Sequence, residues 1–156
     1  MPDRLAALRA LVRAVRAGGR IAASCWGGLA RNPSISPTVE AIGRHLPLGP
    51  RDFAELTRPF TAIPDAETLG DVLRSAGLAA VEVVEVPGWT EAAGVAEHWQ
   101  AQLARNAPLQ AFLRDVPEET VRAIRDDTIA SLAARYGEGS LRLPNLSLVA
   151  GGTVAT

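Results

Sequence analysis

The chain has 156 residues, 47% of them hydrophobic, with 16 basic and 17 acidic side chains and a formal charge of -1. That length and composition suit a single globular domain, residues 1–156, with its own core, and the near-neutral balance gives no footing for nucleic acid or an acidic membrane as partner. The lone cysteine, Cys25, excludes an internal disulfide and a cysteine-based zinc site, and no apolar run reaches the roughly 18 residues of a membrane span.

Every basic residue is arginine, a usage that codon bias in a GC-rich genome explains as readily as guanidinium chemistry. The arginine- and leucine-bearing start lacks the long apolar core and small-residue cleavage site of a targeting peptide, so a cytoplasmic protein is expected.

In chain order, Leu5, Leu8, Leu11, Val12 and Val15 recur at helical spacing, with Asp3 placed as N-cap and Gly18 or Gly19 as the left-handed stop. Ile21–Trp26 is small or apolar without alternation, the pattern of a strand covered on both faces. A loop, LARNPSISP, leads to a helix capped by Ser36, with Pro37 at its first position and its end near His45. The proline- and glycine-bearing PLGPRDFAELTRPF reads as loop. Asp65 opens a helix with Leu69, Val72, Leu73 and Ala76 on one face, ended by Gly77, and the valines of AAVEVVEV predict a strand.

Thr90 is expected to open a helix running to about Arg105, followed by a turn at Pro108 and a helical piece around Phe112. Pro117 starts a long helix that Gly137 ends. The closing LRLPNLSLVAGGTVAT reads as a strand whose pairing begins after Pro144, since proline donates nothing to a ladder. The fold class is α/β: a small mixed sheet of about three strands with flanking helices and a helical insertion at 90–137. The first two strands, joined through helices, are most simply parallel.

The succession AGGRIAASCWG, RNP, PFTAIPDAETLGDVLRSAGLAAVEVVEV and LRLPNLSLVAGGT resembles the C-terminal half of class I S-adenosylmethionine-dependent methyltransferases, chiefly the small-molecule enzymes of the ubiquinone/menaquinone type. Ala17 stands where that pattern has proline, and Leu78 where it has an aromatic residue. The resemblance implies a partial Rossmann-like sheet holding the family's fifth, sixth and seventh strands, the seventh antiparallel between the other two. The glycine-rich loop and strand-end acid that bind the cofactor in such folds have no counterpart here. This chain alone is therefore expected to bind no cofactor and to need a partner chain, or an N-terminal half not in this sequence, for S-adenosylmethionine-dependent transfer.

The strand Ile21–Trp26 would then present an unpaired edge, fit for a second copy or for a complementary methyltransferase half. The alternative is an edge capped by the chain's own loop or first helix. Transferred position by position, the resemblance places Trp26, Arg31, Asn32 and Trp99 around a small-molecule substrate, with His98 as the base that draws a proton from it. Three of them have a plainer alternative: Trp26 as a core aromatic, Asn32 as the residue shaping the turn before Pro33, His98 as an exposed or capping histidine.

His45 is expected to complement a helix dipole, Glu97, Asp126 and Asp127 to lie on solvated faces, and Cys25 to be inert packing. No histidines or carboxylates show metal-ligand spacing. Two functions from other classes stay open: a cofactor-free binding or accessory subunit, and a repurposed pocket for cyclisation or isomerisation.

Overall fold

The computed structural model describes residues 3–155, and the side chains of all of these except 59 and 60. Thr156, included in the expected closing strand, lies outside them. In chain order the elements are α1 (Arg4–Ala14), β1 (Arg20–Trp26), a 3-10 turn (Leu29–Arg31), α2 (Ser36–His45), α3 (Pro50–Thr61), α4 (Ala66–Ser75), β2 (Leu78–Ala92), α5 (Val95–Arg105), α6 (Ala107–Leu113), α7 (Glu118–Tyr136) and β3 (Leu141–Val154). The chain is α/β, and its contacts divide it into two compact units. No described helix is long and apolar enough to cross a membrane.

The first unit comprises the residues up to Arg31, Pro59–Gly88 and those from Leu146 on. Its sheet has the order β1–β3–β2. β3 runs antiparallel to β1, with Arg20 opposite Thr153 and Trp26 opposite Ser147. It also runs antiparallel to β2, because Gly152 lies against Leu78 and Val81 while Asn145 Nδ2 donates to Thr90 Oγ1. The last strand thus sits between the other two, as the resemblance implies, and β1 and β2 share a direction without touching.

α1 is capped by Asp3, whose side chain accepts from the backbone N–H groups of Leu5 and Ala6, and α4 by Asp65, which accepts from Thr68 N–H. That last bond holds the Asp65 carboxyl below its ordinary range. Both helices lie on one face of the sheet. Leu8 and Val12 of α1 with Leu69 and Leu73 of α4 pack on Ile21, Leu78, Leu146, Leu148, Ala150 and Val154. Gly18, at φ +72°, makes the reversal between α1 and β1, and its N–H donates to Val154 O.

β2 carries an irregularity at its start. Ala80 has φ +47°, a conformation unusual for a residue with a Cβ. Leu78 and Val81, three apart, both join the core, so one extra residue is accommodated between them in the manner of a bulge.

The second unit comprises Asn32–Arg58 and Trp89–Asn145. Ala41, Ile42, Trp99, Leu109, Leu113 and Ile124 form one core of α2, α5, α6 and α7, and Val95, Leu132, Leu141 and Leu143 a second. Gly137, at φ +85°, ends α7. Arg142 lies 4.4 Å over the exposed Trp89 ring, bracing that end of the β2–β3 ribbon.

Several expectations fail here: Ser36 is the first residue of α2 rather than its cap, which is Ile35, and β1 alternates between covered and exposed residues instead of being covered on both faces. The stretch read as loop forms α3, since Pro50 stands at its first position, where a missing N–H is harmless, and Leu56 packs on the core. β2 runs through Pro87-Gly88 to Ala92, so α5 begins at Val95 rather than Thr90. β3 begins at Leu141, ahead of Pro144. β1 ends opposite Ser147, so Pro144 has a strand on one side only, and an edge position tolerates its missing donor.

Asp127, expected on a solvated face, instead ties α7 to α2. Arg44 Nε donates to its Oδ2 at 2.8 Å, and His45 Nε2 lies 3.1 Å from the same oxygen. The Arg44 hydrogen bond, more than the charges of Arg44 and His45, holds the Asp127 carboxyl below its usual range. The folded state therefore binds the proton less readily than the unfolded chain. The resulting stability is complete above the unfolded carboxyl range near pH ~4 and is lost as the pH falls through the folded value. Urea midpoints measured from neutral pH downward should fall less steeply for Asp127→Asn than for the native chain. The difference should be at most about 1 kcal/mol, as for other partly exposed pairs.

Candidate functional site

α5 starts from Gly94, and Glu97 in its first turn reaches back to accept from Ala93 N–H. Val95, His98 and Trp99 then fall on its buried side. Trp99 fills the core beside Ile42, Leu109 and Ile124, the packing role of a large aromatic. Gln102 stands one turn beyond His98 on the same face.

Opposite this face is the segment that enters α2. Asn32 is fully buried and its carbonyl accepts from Ile35 N–H, closing the turn before the helix. Ser34 and Thr38 are buried with it. His98, 3% exposed, has Nε2 at 2.8 Å from Ser34 O. A carbonyl can only accept, so Nε2 carries the proton, and in the neutral ring Nδ1 keeps its lone pair. Thr38 Oγ1 donates to Gln102 Oε1 at 2.9 Å, which turns Gln102 Nε2 away from that contact. Nε2 is buried without a hydrogen-bond partner among the described residues.

The second unit thus brings together Asn32, His98 and Trp99 of the expected residues, and adds Ser34, Thr38 and Gln102. Polar residues four apart on one helix, His98 with Gln102, were the available signal for the last. The partner segment at 34–38 lies 64 positions away, beyond any periodicity. The layer presents one imidazole lone pair, one amide donor and a fixed hydroxyl.

Trp26 and Arg31 belong to the first unit. Trp26 ends β1 with its ring exposed, not in the core. Arg31 is exposed and lies 3.5 Å from Glu85, a surface pair of little energetic weight. Cys25 is half-buried on the covered side of β1, and burial raises its thiol pKa, the opposite of what a nucleophile needs.

Cofactor chemistry can be tested against the glycine turns. After β1, Gly27 N–H donates to Leu146 O and Gly28 N–H to Pro64 O. A Cβ at Gly27 would lie 2.9 Å from the Leu146 side chain, and one at Gly28 3.2 Å from Pro64 O. These glycines serve close packing within the fold, and their amides are already engaged. Gly152 likewise admits Leu78 and Val81. None of these turns makes the open cradle of amides that a nucleotide cofactor requires. No group of three or more metal-ligating side chains occurs among the described residues.

No protein-family model and no curated protein matches the chain. Among solved structures it is similar to phosphoethanolamine N-methyltransferase 2 of Haemonchus contortus in complex with phosphomonomethylethanolamine and S-adenosylhomocysteine, at TM-score 0.42 and 10% identity. That match covers 100% of this chain and 31% of the other. The selenomethionine form of the same enzyme with S-adenosyl-L-methionine gives TM-score 0.40 and 11% identity, over 99% and 30%. The chain spans less than a third of the length of the solved structures it resembles.

Proposed function

We propose that these residues are the closing half of a methyltransferase acting on a small molecule. The cofactor-binding half would be carried by a partner chain, or by polypeptide outside this sequence, and would pair along the outer edge of β1. The observation that supports this reading is the strand order: a last strand antiparallel between two others of common direction, with the apolar β1 left at the edge. The engaged glycine turns support a reading in which the completed assembly, and not this chain alone, holds S-adenosylmethionine.

What the chain itself contributes is the acceptor site. Asn32 and Gln102 orient the acceptor, and His98 takes a proton at Nδ1, since Nε2 is committed to Ser34 O. Such catalysis is chiefly positioning, with one base. The same glycine turns also favour a second reading, a cofactor-free subunit that binds the small molecule only.

Titration calorimetry separates the two. The isolated chain should give no saturable heat with S-adenosylmethionine, and the assembly purified with its partner should bind it at micromolar concentration. Micromolar binding by the chain alone would overturn the proposal, and an assembly that binds none would favour the cofactor-free subunit.

A further inference from the structure

Only one face of the three-stranded sheet is covered. In the β1–β3 register, Ile21, Ala23 and Cys25 stand opposite Gly152, Ala150 and Leu148 and turn toward α1 and α4. The alternate residues Arg20, Ala22, Ser24 and Trp26, opposite Thr153, Gly151, Val149 and Ser147, turn the other way. On β2, Val81 and Val83 join the covered side, which leaves Glu82, Val84 and Val86 on the same open face. Trp26 is 43% exposed, Val84 59%, Val86 44% and Val149 40%. Half of the large apolar side chains exposed among the described residues therefore lie on this one face, a concentration that marks an interaction surface.

We propose that this open sheet face docks a second copy of the chain, face to face about a two-fold axis along β3. The face is self-complementary in charge. One margin, β1, begins with Arg20, carries the small Ala22 and Ser24 and ends with Trp26. The other margin, β2, offers Val84 and Val86 beside Glu82. A two-fold along the central strand lays each β1 over the partner's β2, so that Trp26 falls at the valine end and Arg20 at the Glu82 end of each pair. Three strands and about seven residues give a patch of roughly 300 Å2 in outline, small beside the ~800 Å2 per partner of a standard interface, so the dimer is weak. The surface is separate from the outer edge of β1, and the proposal does not rest on the methyltransferase reading.

Sedimentation velocity of the full chain tests it. The native protein should associate reversibly with Kd of about 10–100 μM. Val84→Asp with Val86→Asp should weaken this at least about tenfold while leaving the circular dichroism unchanged, because both side chains point to solvent in the monomer. Arg20→Glu alone and Glu82→Arg alone should each weaken it, and the two together should restore it. A native chain that stays monomeric at about 300 μM would overturn the proposal. So would association untouched by the valine substitutions, which would direct attention to the edge of β1, and so would a charge swap that fails to rescue.

Discussion

Leu148→Ala is expected to lower the free energy of unfolding by about 4 kcal/mol, toward the upper part of the range for buried leucines. Leu148 is fully buried at the middle of β3, opposite Cys25 on β1, and belongs to the core that Leu69 and Leu73 of α4 complete. A central strand is held by hydrogen bonds on both sides and cannot sink into the hole left by the missing atoms. The cavity term therefore adds almost fully to the lost transfer energy. Urea unfolding followed by circular dichroism checks this, with the midpoint falling and the slope unchanged. A loss under about 1 kcal/mol would mean that this strand is not the centre of the core.

His98→Ala is the second large effect, about 2–4 kcal/mol. It removes the donor from Ser34 O, leaving a buried carbonyl without its partner, and it opens space between α5 and the entry to α2. Thr38 and Gln102 hold the same two segments together one turn further on, which keeps the fold from losing more. Unfolding measurements give the magnitude. Nitrogen resonances of the His98 ring in the native protein give the protonation pattern on which the proposed role depends: protonated Nε2, unprotonated Nδ1. The opposite tautomer would remove the argument for Nδ1 as the base.

These two predictions rest on features that were legible in the sequence to very different degrees. The first unit could be read almost entirely. Asp3 and Asp65 are caps, Gly18 and Gly77 are left-handed stops, and the apolar spacing of α1 and α4 matches what the structure packs. Its signals are local, a few residues apart. The remainder hides behind prolines. Pro50 opens α3 and Pro144 lies within β3 in the second unit, and Pro87 lies within β2 in the first; each reads as a break, yet the geometry tolerates it at a helix start or a one-sided strand. The polar layer was half legible. His98 and Asn32 stood out as residue types, but their burial and the carbonyl that fixes the imidazole come from a contact across 64 positions. Asp127 shows the same limit: a carboxylate on a helix reads as solvated until Arg44 and His45 arrive from another helix.

The extra residue at Ala80 sets the phase of everything after it in β2. Strand side chains alternate with period two, so deleting one residue there would exchange inside for outside along the whole strand. Glu82 would be driven against the leucines of α4, and Val81 and Val83 would be turned out to water. A single backbone kink therefore acts as the parity bit of this sheet, and the sequence that follows it has meaning only in that frame.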